Sequence, residues 1–123
     1  MIKTMILATA ALTMSGTMAN AQTMIEKNDI KVENHLMTPE ALWAMGRIGG
    51  AEASPDGKQI VYQVSYYSVK ENKGHQMLFV MDANGKNKKA LTTDAKSESD
   101  AAWIEGGQKI AFIRGGQLWS MNP

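Results

Sequence analysis

The chain has 123 residues, which is enough for one domain at most, and it contains no cysteine. The lack of cysteine excludes disulfides, thiolate metal sites and cysteine nucleophiles. With 13 basic and 12 acidic residues the formal net charge is +1, so composition gives no electrostatic reason to expect a nucleic-acid partner or a polybasic membrane anchor.

Residues Met1–Ala21 have the pattern of a secretory signal peptide. Lys3 supplies a short positive region, Met5–Met14 form an apolar stretch, and Ala19-Asn20-Ala21 fits the small-x-small cleavage rule. The apolar stretch is about ten residues long, whereas a membrane-spanning helix needs about 20. The pattern therefore favours a cleaved signal over a membrane anchor, and we expect an exported, periplasmic or extracellular protein.

The next segment, Gln22–Leu36, is polar and has no sustained hydrophobic period. It is interpreted as a linker or N-terminal arm. It contains His35, one of the two histidines of the chain. A metal site needs several converging ligands, so this isolated histidine is expected to be solvated.

Residues 37–47 are predicted to contain a short lead-in helix. Thr38 can cap the free N–H groups of its first turn, and Pro39 suits the first helical position. Gly46 is a suitable stop. The side chains expected to be buried on this helix are Leu42, Met45 and Trp43.

From Ile48 onward the sequence alternates with the period of β-strands. In Gln59–Tyr67 one face carries Ile60, Tyr62, Val64 and Tyr66, and the other carries Val61, Gln63, Ser65 and Tyr67. Leu78 and Val80 share one face of the next run. Turn signals separate the runs, notably Pro55-Asp56-Gly57 and Asn84-Gly85. Short strands at this spacing predict an all-β protein.

The β-rich region also repeats itself. Ala51–Tyr62 aligns with Ala101–Phe112, fifty residues later, and Leu78–Asp82 aligns with Leu118–Asn122, forty residues later. The difference in spacing is a loop, Ser65–His75, that is nearly absent from the second copy. Insertions of this kind usually map to one face of a repeat array.

Each copy is predicted to supply the antiparallel strands of one β-propeller blade. The strands expected in the first copy are Gly50–Ala53, Lys58–Tyr67, His75–Asp82 and Lys88–Thr92. Blade one then covers about 50–92, and blade two covers about 99–123 without a fourth strand. Residues 48–123 would form an incomplete propeller of about one and three-quarter blades.

Two stretches resemble a known family. Ser54–Tyr62, followed by Leu78–Asp82 and Asn84-Gly85, resembles the TolB-type propeller repeat. The preceding Met37–Ile48 resembles the start of secreted prolyl oligopeptidase family serine peptidases, in the branch of dipeptidyl-peptidase V and acylaminoacyl-peptidases. The second copy departs from the repeat, because Ile104-Glu105-Gly106-Gly107 replaces the Ser-Pro-Asp-Gly turn.

The resemblance implies an N-terminal propeller that covers a C-terminal α/β-hydrolase domain with a Ser-Asp-His triad. This chain has no Gly-x-Ser-x-Gly elbow. We therefore assign no catalytic, cofactor-binding or metal-binding residue, and we expect the chain alone to be inactive. It is interpreted as the N-terminal fragment of an exported serine peptidase that acts on short peptides, and its partner would be the missing hydrolase domain.

Two alternatives remain open from the sequence. The repeats also fit a periplasmic TolB-like propeller that binds a protein partner without catalysis. A truncated product without activity is the third possibility. The lead-in helix favours the peptidase, whereas the repeats alone fit both propellers.

Several local signals are assigned structural roles. Asp82–Asn87 is expected to be a hairpin turn because an EF-hand needs Gly at position 6 and Glu at position 12 of its loop. Lys86, Lys88 and Lys89 are interpreted as a solvated face. The three tryptophans, Trp43, Trp103 and Trp119, could line a ligand groove. Blade packing accounts for Trp103 and Trp119 without a ligand.

The loop Ser65–His75 is the strongest candidate for a surface that faces a substrate. It carries Tyr66, Tyr67 and His75, which offer two phenols and an imidazole close together in sequence.

Overall fold

A computed structural model describes residues 25–27 and 30–123, so the predicted signal peptide lies outside the described residues. The described chain contains one short α-helix, one 3-10 turn at Glu105–Gly107 and seven strands, which confirms the all-β prediction. The α-helix and the strands are α1 (Pro39–Ala44), β1 (Arg47–Ala53), β2 (Gln59–Ser68), β3 (Lys73–Asp82), β4 (Lys89–Ala90), β5 (Glu98–Ile104), β6 (Lys109–Arg114) and β7 (Gln117–Met121). Within these residues no helix is long and apolar enough to cross a membrane.

Helix α1 begins as the sequence predicts. The Thr38 hydroxyl accepts a hydrogen bond from the Ala41 backbone N–H at 3.1 Å, and Pro39 occupies the first turn. The helix ends where Met45 turns to an extended conformation. Gly46 follows without a positive φ, so it does not form the expected left-handed stop. Its role is close approach, because a Cβ there would lie 2.7 Å from Tyr66 Cε1.

The predicted buried side of α1 is wrong. Leu42, Trp43 and Met45 are 47, 41 and 45% exposed, whereas Ala41 is 4% exposed. The chain passes so close to β2 at Gly46 that a small side chain occupies the interface between the helix and the sheet.

The strands form two antiparallel sheets. The first has the order β1-β2-β3-β4 and the second has the order β5-β6-β7, so neighbours in sequence are neighbours in space. The register of β1 on β2 shifts between Ile48 and Gly50, and that of β5 on β6 shifts between Ser99 and Ala102. Strand β7 is mostly exposed and pairs with β6 on one side. The assignment of the two sheets as propeller blades stays a prediction.

The apolar core lies between the two sheets. It is built from buried side chains of both, which are Val61, Leu78, Val80, Leu91, Ile110 and Phe112, with Ala101, Trp103 and Met121 packed against them. Leu78 and Val80 share a face, as the alternation predicts, and are 0 and 1% exposed. Burial of this shared face is the main attraction between the sheets.

Candidate functional site

The predicted loop Ser65–His75 is mostly strand. Cross-strand pairs continue to Ser68 opposite Lys73, so the residues absent from the second copy lengthen the β2–β3 hairpin instead of forming an open loop. At the tip, the Ser68 hydroxyl accepts a hydrogen bond from the Glu71 backbone N–H at 3.2 Å. The insertion therefore presents a paired ribbon, in which strand pairing fixes the positions of the side chains on β2 and β3.

Tyr66 and Tyr67 are neighbours on β2, so their side chains point to opposite faces of the sheet. Each ring lies against a glycine. A Cβ on Gly46 would lie 2.7 Å from the Tyr66 ring, and a Cβ on Gly74, which is opposite Tyr67 on β3, would lie 3.1 Å from the Tyr67 ring. The two glycines leave the space in which the tyrosine rings are held.

Tyr67 belongs to a compact surface group that we call the arginine–aromatic cluster, which consists of Trp43, Arg47 and Tyr67. The two rings meet edge to face with centroids 5.4 Å apart. The Arg47 guanidinium carbon lies 4.5 Å from the Trp43 ring centroid and 5.0 Å from that of Tyr67. Helix α1, the start of β1 and the end of β2 each supply one member.

The charge on Arg47 has no acidic counterpart in the part of the chain that the structure describes. The side chain is exposed, and its cation is held by the negative faces of two rings. The guanidinium edge, with its N–H donors, remains able to meet an anion.

A cleft of about 440 Å³ adjoins the cluster. Trp43 and Tyr67 form its wall on the cluster side, while Val69, Asn72 and Lys73 come from the hairpin tip. The lining thus combines two aromatic rings and an aliphatic side chain with one lysine. Such a mixture suits a ligand with an apolar part and a negative charge.

Two tyrosines of β2, Tyr62 and Tyr66, have phenols that favour the protonated form. Burial raises the pKa of Tyr62 above its usual range, and burial with the nearby Tyr62 and Glu26 raises the pKa of Tyr66. These hydroxyls can donate hydrogen bonds, but neither environment favours a phenolate base.

His75 has a structural position. The side chain is 4% exposed, its Nδ1 lies 3.0 Å from the Ile25 carbonyl oxygen, and its Nε2 lies 3.1 Å from the Asp94 carbonyl oxygen. The imidazole thus joins the N-terminal arm to the segment between the sheets, and both nitrogens are occupied by backbone. His35 lies on the N-terminal arm and is exposed. Its φ is 55°, and that of the preceding Asn34 is 56°.

The two remaining tryptophans differ. Trp103 packs against the core and donates its indole N–H to the Glu52 carbonyl oxygen at 3.1 Å, so it connects the two sheets. Trp119 is 45% exposed on β7, with the Arg114 guanidinium carbon 5.1 Å from its ring centroid. Packing therefore accounts fully for Trp103 and only in part for Trp119.

The Asp82–Asn87 segment is a hairpin turn. Gly85 N–H donates to the Asp82 carbonyl oxygen at 2.8 Å, and the Asn87 amide donates to the Asp82 carboxylate at 2.6 Å. Lys86, Lys88 and Lys89 are exposed around it. Within residues 25–27 and 30–123 no three His, Cys, Asp or Glu side chains come together as metal ligands.

A buried charged network was missed by the sequence reasoning. Glu98 is 1% exposed and accepts hydrogen bonds from Arg114 Nε at 2.9 Å and from an Arg114 terminal nitrogen at 2.5 Å. The Thr92 hydroxyl donates to the other Glu98 oxygen, and Asp94 lies 3.5 Å from Arg114. The network fixes the segment that leads from the first sheet to the second. Glu98 occurs in a polar stretch, so nothing in the local pattern marks it as buried.

No family model matches the chain. The chain is 43% identical over 81 residues to a protein named Dipeptidyl-peptidase 5 from Porphyromonas endodontalis, a match that covers 66% of this chain and 12% of that protein. It is 38% identical over 77 residues to Dipeptidyl-peptidase 5 from Porphyromonas gingivalis, covering 63% of this chain and 11% of that protein. The chain therefore spans about one eighth of the length of these relatives. Both matches support a relationship with the dipeptidyl-peptidase family.

Proposed function

We propose that this chain is the N-terminal part of the non-catalytic β-propeller of an exported serine-type dipeptidyl-peptidase. The observation that carries the proposal is the 43% identity over 81 residues to Dipeptidyl-peptidase 5 of Porphyromonas endodontalis. The same relationship with a second such protein, at 38% identity over 77 residues, supports it.

The arrangement of the sheets is consistent with this role. Propeller blades are antiparallel sheets of four strands, and the first sheet has four antiparallel strands in sequence order. The two sheets share one apolar core and are linked by the Trp103–Glu52 hydrogen bond. Consecutive blades would contact one another in the same way.

In this proposal the propeller limits access to the catalytic centre and helps to select short peptides. The hydrolytic step would belong to a Ser-Asp-His triad in an α/β-hydrolase domain outside this chain, because the chain itself has no Gly-x-Ser-x-Gly elbow. The chain alone would bind or guide peptides and hydrolyse none. Export would depend on the predicted signal peptide, Met1–Ala21.

The test is to express the whole open reading frame that contains these residues and to assay chromogenic dipeptidyl substrates. We expect release of the chromophore by the long product, inhibition by a serine-directed reagent, and no turnover by the 123-residue chain as the matched control. The reading frame could instead encode further β-repeats without a hydrolase elbow, and its product could show no turnover. That outcome would contradict the peptidase proposal and favour a propeller that binds a protein partner without catalysis. Turnover by the 123-residue chain would contradict its non-catalytic role.

A further inference from the structure

We propose that the arginine–aromatic cluster binds the C-terminal carboxylate of a short peptide, and that the adjoining cleft takes the apolar side chain of the peptide's last residue. The cluster consists of Trp43, Arg47 and Tyr67, and the cleft of about 440 Å³ shares two of these residues.

The Arg47 guanidinium is held in place by its neighbours. Two aromatic rings hold Arg47, at 4.5 and 5.0 Å, so the side chain has already lost much of its freedom before any ligand arrives. A preorganised group gives up less conformational entropy on binding. Its planar fork of N–H donors matches the two oxygens of a carboxylate.

The arginine–aromatic cluster carries the positive charge of Arg47. Among the described residues no carboxylate forms an ion pair with Arg47. Lys73, which lines the adjoining cleft, adds a second positive charge. The cluster already holds its own cation between the rings, so it is not available as a cage for an ammonium ligand. The complementary ligand is an anion.

A C-terminal carboxylate fits this surface better than an acidic side chain does. The cleft shares Trp43 and Tyr67 with the cluster and is also lined by Val69, so it can take an apolar group attached close to an anion bound by Arg47. In a peptide, only the α-carboxylate is attached directly to the carbon that also carries an apolar side chain. An aspartate or glutamate would use its side chain for the charge and leave the apolar walls unfilled.

The backbone around the cluster is shaped to hold it. Tyr67 lies across Gly74 on the neighbouring strand, where a Cβ would come within 3.1 Å of the ring. The ring therefore lies close to the ribbon and reaches Trp43 of helix α1. This hairpin end is nearly absent from the second copy, where β6 ends at Arg114 and β7 begins at Gln117.

The choice of a peptide as the ligand rests on the proposed function, whereas the preference for an anion rests on the cluster alone. The experiment uses the 123-residue chain labelled with ¹⁵N. The probes are Ala-Phe, its C-terminal amide, and Ala-Glu amide, which carries its only carboxylate on a side chain. The signals are the Trp43 indole N–H and the Arg47 Nε–H.

We expect Ala-Phe to shift both signals saturably. Each of the two amides should bind at least about tenfold more weakly, which is the scale of a lost charged hydrogen bond. R47Q should weaken Ala-Phe binding by about tenfold, and R47K, which keeps the charge without the fork, should weaken it less. K58Q is the matched control, because Lys58 is an exposed lysine on the β1–β2 turn, and it should bind as the unaltered chain does.

Four results would each overturn the proposed site. They are equal binding of Ala-Phe and its amide, equal binding of Ala-Phe and Ala-Glu amide, unaltered binding of Ala-Phe by R47Q, and the absence of a saturable shift. Peptide hydrolysis by the long product together with any of these results would leave the proposed function standing. If Ala-Phe binds specifically at the cluster but the long product hydrolyses no peptide, the carboxylate site is supported and the proposed peptidase function is contradicted.

Discussion

The β1–β2 turn and the β5–β6 turn occupy equivalent positions in the two sheets but are held by different chemistry. In the first, the Ser54 hydroxyl donates to the Asp56 carboxylate at 2.6 Å and accepts from the Gln59 N–H at 3.0 Å. In the second, the chain adopts positive φ at Glu105, Gly106 and Gly107 in succession. Side-chain hydrogen bonds shape one turn, and glycine conformations shape the other.

The two copies have the hairpin in common, and not its turn sequence. Both turns join antiparallel strands of the same order. They also meet, because a Cβ on Gly107 would lie 3.0 Å from Pro55 Cδ. Each turn is therefore constrained by its counterpart as well as by its own strands.

The largest expected effect tests whether the second sheet depends on its buried ion pair. E98A leaves Arg114, only 16% exposed at its side chain, without its main partner. We expect a loss of about 3–5 kcal/mol in the free energy of unfolding, the cost of breaking a buried pair, measured by urea denaturation. E105A, which breaks the exposed pair with Lys109, is the matched control and should cost less than about 1 kcal/mol. Equal losses would show that burial does not matter here.

The next prediction separates backbone conformation from contact between the turns. Gly106 and Gly107 both have positive φ, but only Gly107 faces Pro55. We expect G106A to cost about 1 kcal/mol and G107A about 2 kcal/mol or more, because an L residue is strained at positive φ and the added methyl group also meets the proline ring. The difference in urea midpoint between the two variants measures the contact. Indistinguishable variants would mean that the turns are independent.

A smaller effect is expected at the first turn. Ser54 is 7% exposed, and S54A removes the acceptor of the Gln59 N–H. We expect a loss of about 1 kcal/mol in the free energy of unfolding, measured in the same way. S68A removes a hydroxyl that accepts from the Glu71 N–H on the exposed hairpin tip, so it should stay within about 0.5 kcal/mol of the unaltered chain. A larger loss in S68A would reverse this ranking.

The smallest effect is an acid dependence of the same turn. The Ser54 hydroxyl, followed by the Lys58 backbone N–H, holds the pKa of Asp56 below its usual range. The folded state thus favours the ionised carboxylate, so its contribution is present above the ordinary pKa and is lost as pH falls through the lower folded value. We expect S54A to raise the pKa of Asp56 towards its ordinary range, as followed by ¹³C NMR of the carboxyl group. An unchanged pKa would exclude the hydroxyl as the main cause.

Much of the fold follows from local patterns in the sequence. The alternation in Gln59–Tyr67 and around Leu78 and Val80 identifies the strands, and Thr38-Pro39 marks the start of the helix. These features depend on residues close together in the chain. They can therefore be recognised without knowing the partners that each element meets. The alternation alone did not show which face of β2 enters the core, which the structure assigns to the face of Val61.

The features that the sequence did not predict depend on distant partners. The buried side of α1 was misassigned because the close approach at Gly46 is set by Tyr66, twenty residues later. The Glu98–Arg114 pair and the arginine–aromatic cluster likewise combine residues from separate elements. Tyr67 lay within the expected substrate-facing segment and Trp43 was named as a possible groove residue, but Arg47 had no signal that connected it to either.

The exposed strand β7 has a further consequence for how copies of this chain meet. The three other strands at the sheet edges carry features that discourage pairing with another molecule. Strands β1 and β5 each have a register shift, and β4 is two residues long with Lys89. Strand β7 is five residues without a charge, and its Leu118 is 75% exposed. A regular, uncharged edge is a template for strand addition between chains. Concentration-dependent aggregation should therefore begin at β7, and a lysine at position 118 should delay it.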